Sequence, residues 1–152
     1  SQNLPVDLGG LKFIYAPQYC DQVECKITKR MDGRGYCRDR SDFPGEKVYF
    51  DDGVGNVWIL MHVKALPSQN GNTYKGGEPV AYIYQTSSEI IRDDPLHQTV
   101  HGNANGTGCW GTPGHLHLEV THNGQYVDPL QLLYDMGCTQ GPDSELRCTV
   151  RN

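Results

Sequence analysis

Nowhere in this chain do more than a few apolar residues follow one another before a charged residue, a histidine or a glycine interrupts them. The longest apolar run, Val57 to Val63, is broken by His62 and reads as one buried strand. Runs this short fall below the ~20 residues that a membrane-spanning helix needs, so the chain is read as not membrane-spanning. The same brevity points to strands. Lys12–Tyr15, Glu24–Lys29, Lys47–Phe50, Asn56–Lys64, Pro79–Tyr84 and His115–Val120 are rich in Val, Ile, Tyr, Phe and Leu, and each is bounded by turn residues. The loop from Asp51 to Asn56 joins two of them as a hairpin, with glycines at 53 and 55 where positive φ is needed. Asn70-Gly71, Gly76-Gly77 and Asn123-Gly124 mark further turns. The best helical segment is Pro129–Met136, with Asp128 as N-cap, Pro129 in the first turn and Gly137 after its end. Residues 85–114 lack periodicity and read as one long loop, a feature more often functional than idle. The pattern predicts an all-β fold: a single domain over residues 1–152, built as an antiparallel sheet or sandwich with long loops and a cysteine-containing tail at 137–152.

Charge narrows the partners. The formal net charge is −5 over 152 residues, which argues against a nucleic-acid partner, since that would require a dense basic face. The one cationic cluster, Lys26 to Arg40, is interrupted by Asp32 and Asp39 and reads as a solvated loop.

Six cysteines, an even number in a loop-rich chain, predict a disulfide framework and an oxidising compartment. A structural zinc knuckle would want paired C-x2-4-C motifs, and Cys20 and Cys25 have no partner knuckle. Six cysteines allow about 15 connectivities. Among these, the short loops Cys20–Cys25 and Cys138–Cys148 are expected, leaving Cys37 with Cys109. The chain opens on Ser1 rather than Met, which suggests a removed leader and a secreted, extracellular or periplasmic location.

Chemistry concentrates in His115-Leu116-His117-Leu118-Glu119. On a strand, His115 and His117 share one face and Leu116 and Leu118 the other, because side chains alternate. Gly114-His115-Leu116-His117-Leu118-Glu119-Val120, followed by Asn123-Gly124-Gln125-Tyr126-Val127-Asp128-Pro129-Leu130, resembles the C-terminal signature of the LytM/lysostaphin family of zinc metallopeptidases. Upstream, Val57 to His62 resembles that family's strand ending in a catalytic histidine. Val6-Asp7-Leu8 followed by Tyr15-Ala16-Pro17 resembles its metal-ligand aspartate segment, and Gly76 to Val80 its turn into the next strand. The resemblance runs from about Asn3 to Leu133.

What the resemblance implies is a secreted zinc endopeptidase that cuts peptide cross-links of bacterial peptidoglycan. Asp7 and His117 take the positions of zinc ligands. His62 and His115 take those of catalytic histidines, which would orient the zinc-bound water and stabilise the oxyanion. Their imidazoles are expected within about 8 Å of each other on adjacent strands. Zinc lowers the pKa of its water towards about 7 and polarises the scissile carbonyl. The family's first ligand is a histidine four residues before the aspartate, and here that position is Asn3. An amide oxygen is a poor zinc ligand beside imidazole, so zinc binding is expected to be weak or absent.

His97 and His101, at i, i+4 spacing after Pro95, would share a helix face, but in a loop they are simply exposed. His122 reads as a surface residue, Asn105-Gly106-Thr107 as a glycosylation sequon in a eukaryotic host, and Trp110 as a groove-lining or core aromatic. Three classes of function therefore compete: an active zinc endopeptidase, a lapsed relative that binds peptide, glycan or a partner without cleavage, and a secreted signalling or self-assembling structural protein.

Overall fold

The structure, a computed structural model, describes residues 5–32, 46–93 and 114–149. Within them the chain forms β1 (Val6–Gly9), β2 (Phe13–Tyr15), a 3-10 turn (Gln18–Asp21), β3 (Cys25–Asp32), β4 (Glu46–Asp51), β5 (Asn56–Ala65), β6 (Thr73–Tyr74) and β7 (Pro79–Ile83). There follow α1 (Ser87–Asp93), β8 (His115–His122), β9 (Gln125–Val127), α2 (Pro129–Asp135), β10 (Thr139–Gln140) and β11 (Glu145–Arg147). The fold is all-β, as its strand pattern requires, and all eleven strands join one sheet.

The sheet forks on β5. Along one edge β5 pairs with β4. Along the other, residues 56–61 pair with β8 and residues 63–65 with β7. Beyond β8 lie β1 and β9; beyond β7 lie β2, β11 and β10. His62 is the residue at the fork.

One face of the sheet holds the core. Val48 and Phe50 of β4, Trp58 and Leu60 of β5, and Leu116, Leu118 and Val120 of β8 are buried there together. The alternation in β8 explains this side: its three apolar residues are fully buried, while His115, His117 and Glu119 between them are half-buried on the other face. Asn123 (φ 51°) and Gly124 (φ 85°) make the tight β8–β9 turn with both residues in the left-handed region, which is why Asn-Gly sits there.

Several expectations need correction. The sheet is mixed rather than wholly antiparallel, because β11 runs parallel to β2. Nearly the whole chain lies between those two strands, so no local pattern could announce their pairing. The 85–114 loop contains α1, capped by Thr86, whose hydroxyl accepts from the Glu89 amide at 3.2 Å. The T-x-x-E capping signature was present in the sequence. The expected strand at Glu24–Lys29 forms and runs on to Asp32, so residues 30–32 of the cationic cluster are strand rather than loop. α2 forms as expected, with the Asp128 carboxylate accepting from Leu130 N at 3.0 Å.

Two disulfides, Cys20–Cys25 and Cys138–Cys148, are formed. Cys37 and Cys109 lie outside the described residues, as do His97, His101, Asn105 and Trp110. No helix among the described residues is long and apolar enough to cross a membrane.

Candidate functional site

The histidine face of the fork gathers four residues that stand far apart in sequence. Register places Asp7 of β1 opposite His117 of β8, and His117 opposite Met61 of β5. The Asp7 Oδ1 lies 2.9 Å from His117 Nδ1 and 3.7 Å from His115 Nε2. The His62 ring centre lies 4.6 Å from that of His115 and 5.9 Å from that of His117. Asp7, His62, His115 and His117 are therefore neighbours. Asn3 lies outside the described residues.

His62 reaches this cluster only through a break in strand geometry. Met61 shares the face of His117, so strict alternation would turn His62 towards the core. Instead β5 bulges: Met61 pairs with Lys47 and Val63 with Glu46, which leaves His62 as the extra residue. Its φ of 69° is in the left-handed region, rare for a residue with a Cβ. The bulge turns two successive side chains, Met61 and His62, to one face and lets Val63 resume the core pattern. Backbone bonds fix the point: Tyr84 N donates to His62 O at 3.1 Å, and Gly114 N to Tyr84 O at 2.7 Å, immediately before His115.

Beside the fork, α1 is clamped to the same face. Tyr82 donates to Glu89 at 2.8 Å and Tyr84 to Asp93 at 2.9 Å, while Lys64 Nζ lies 3.2 Å from Asp93. Burial first, and then the Glu89 carboxylate, pushes the Tyr82 phenol up to about 12. Burial and Asp93 raise Tyr84 as well. The Arg92 guanidinium above all, helped by Tyr84 and Lys64, holds Asp93 down at about 2.

Glu119 belongs to the cluster as well, although the sequence motif assigns it no role. Its Oε2 is 3.5 Å from His117 Nε2, so each ring nitrogen of His117 faces a carboxylate. The signal was available, since Glu119 continues the alternation of His115 and His117. A histidine that holds a metal usually donates its other ring N–H to a carboxylate, so Glu119 stands where such an orienting partner would stand. The Asp7 side chain is 63% exposed and that of His117 is 19% exposed, so the cluster opens to solvent at β1.

Asp7 Oδ1 and His117 Nδ1 converge beside β1 and are donor types that zinc takes. Among the described residues, no group of three or more His, Cys, Asp and Glu side chains is arranged to enclose a metal ion. Asp7 and His117 are two donors of the three that a catalytic zinc site takes, and Asn3 lies outside the described residues.

His122 is more than a surface residue. Its Nδ1 lies 2.7 Å from Asn56 Oδ1, and Asn56 Nδ2 donates to buried Asp52 at 2.8 Å. This network sits at the far end of β5 and β8 from the fork.

The fold and site together describe a strand-rich, disulfide-stapled domain with a histidine–carboxylate cluster at a forked sheet. No family model matches the chain, and no curated protein matches it. Among solved structures it is similar to a chain of one described as "Structure of the SpoIIQ-SpoIIIAH pore forming complex", at 14% identity and a TM-score of 0.38, over 72% of this chain and 51% of that one. This chain thus spans about half the length of that neighbour, and the similarity assigns no activity.

Proposed function

We propose that this protein is a secreted, lysostaphin-like domain that has lapsed as a peptidase and uses the cluster at the fork to bind an extracellular peptide or glycan without cleaving it. One observation carries this reading: Asn3 stands four residues before Asp7, where the resembled family places its first zinc-ligating histidine. In that family Asp7 and His117 would share the ion with that histidine, and an amide oxygen is a poor substitute for its imidazole.

The chemistry that remains suits recognition. The Asp7 carboxylate and half-buried imidazoles offer donors and acceptors at an open rim, where a bound chain can be held in register. The two disulfides accord with an oxidising, extracellular setting. A second reading, the active zinc endopeptidase on peptidoglycan, draws support from the meeting of His62, His115, His117 and Asp7 at one place. In that case Asp7 and His117 would hold the ion, and zinc would supply a polarised carbonyl and an activated water.

The two readings separate in one experiment. The native protein is purified without chelator, its zinc content is measured, and it is incubated with peptidoglycan. Binding to sedimented peptidoglycan or its peptides, with sub-stoichiometric zinc and no release of soluble fragments, is the expected result. One zinc per chain together with fragment release would establish the peptidase instead.

A further inference from the structure

The edge of β3 opens on a ligand-sized groove far from the histidine cluster in the order of strands. Cys25 and Lys26 pair with β6, but beyond Lys26 no described strand pairs with the outer edge of β3. The last contacts on that edge come from Asn72, whose carbonyl accepts from Ile27 N at 3.2 Å and whose amide donates to Ile27 O at 3.4 Å. The groove continues from there along Thr28, Lys29 and Arg30, with residues 65–67 forming its other wall, and it offers about 420 Å³ of space open to solvent. That is within the size range of specific binding pockets.

The walls define what fits. Ile27, Ala65 and Tyr74 are buried and give an apolar floor. Thr28, Lys29 and Arg30 are exposed along the rim, and among the described residues that line the groove none is acidic. Arg30 is tethered by its Nε to Glu46 at 2.7 Å, which uses one of the guanidinium's five donors. An open edge of this kind is a template for an incoming strand, whose alternate side chains would enter the floor and face the rim. A second copy of β3 is a poor occupant. Its Lys29 and Arg30 would meet their own kind, like charges set against each other.

We propose that this groove receives an extended peptide segment of a partner protein, alternating apolar and acidic residues, as an added strand on β3. The site is independent of the cluster at the fork, so the two stand or fall separately.

The test uses acetyl-Val-Glu-Val-Glu-Val-amide as the probe and its lysine counterpart as the control, followed by amide hydrogen exchange and NMR shifts of the full chain. Slowed exchange at the amides of residues 28–30 and shifts of the Tyr74 ring with the acidic probe alone are expected. Lys29→Glu should weaken that binding about fivefold, the size of one cross-strand charge pair, and favour the lysine peptide. Asp7→Asn with His117→Asn should leave it unchanged. Equal binding of both peptides, protection that maps to β1 instead, or no response at residues 28–30 would each overturn the proposal.

Discussion

His62 is at once a strand residue, a bulge and a member of the cluster, and its position shows how much one φ angle can decide. Without the left-handed turn its ring would face the core rather than His115. For the metal chemistry we propose that Asn3 is the deciding residue. We expect Asn3→His to raise zinc affinity by more than about tenfold, the size of effect that even an outer-shell partner exerts, as read by calorimetry at neutral pH. Equal affinity in both forms would mean that residue 3 is not at the metal position. A third residue, Asp52, is fully buried and accepts from Tyr19 Oη at 2.6 Å, Asn56 Nδ2 at 2.8 Å and Trp58 Nε1 at 2.9 Å, all on Oδ2. Its Oδ1 accepts from the amides of Val54 and Asn56. Asp52→Asn replaces one acceptor oxygen by a donor among donors, and should cost at least ~2 kcal/mol in urea unfolding. The same network fixes a tautomer. A carboxylate can only accept, so the Asn56 amide nitrogen must face it and the Asn56 oxygen must face His122. His122 therefore carries its proton on Nδ1 in the neutral ring, which long-range proton–nitrogen NMR reads directly. A proton on Nε2 would show the amide orientation to be wrong.

Among the elements, β5 and β8 were legible because their patterns are strong. The apolar run of β5 matches a strand with neighbours on both edges, and the period-two alternation of β8 separates core from cluster. The short pieces β1, β6, β9, β10 and β11 were not legible, since two to four residues carry too little periodicity to stand above the background. α1 is held by tertiary contacts that seven residues could not supply alone. Its two tyrosine clasps give it a defined pH limit. Tyr82 has a folded pKa near 12, above the ordinary value of 10.0, so its contribution is fully present below pH 10 and is lost as pH rises through about 12. An alkaline titration followed by tyrosinate absorbance should show a late fraction ionising near pH 12, with helix signal falling alongside it. Tyr82→Phe should reduce that late step in the absorbance curve and leave the part that belongs to Tyr84. At the acid end, Asp93 is held near 2 against an ordinary 3.8, so its contribution is present above pH 3.8 and is lost as pH falls through about 2.

For the molecule as a whole, the tail after α2 is part of the sheet rather than an appendage. β11 lies along β2, Arg147 sits 4.2 Å above the Tyr15 ring, and buried Glu145 binds Arg147 at 2.9 Å. The Cys138–Cys148 bridge closes this unit across a separation of 10 residues. Replacing both cysteines by serine should lower stability by about 3 kcal/mol, measured by urea unfolding against the native form. A loss below ~1 kcal/mol would mean that packing of β11 on β2 holds the tail unaided. Hydrophobic period, turn residues, cysteine number and helix caps are local, and from them the strand-rich class, a disulfide framework, α2 and the inward and outward faces of β8 could all be read in one dimension. The fork on β5, the bulge at His62 and the parallel β11–β2 pair, which joins Glu145 to Phe13, are of another kind. Only the folded chain could settle them, because such contacts are chosen by the packing of whole strands and leave no trace in any short stretch of sequence.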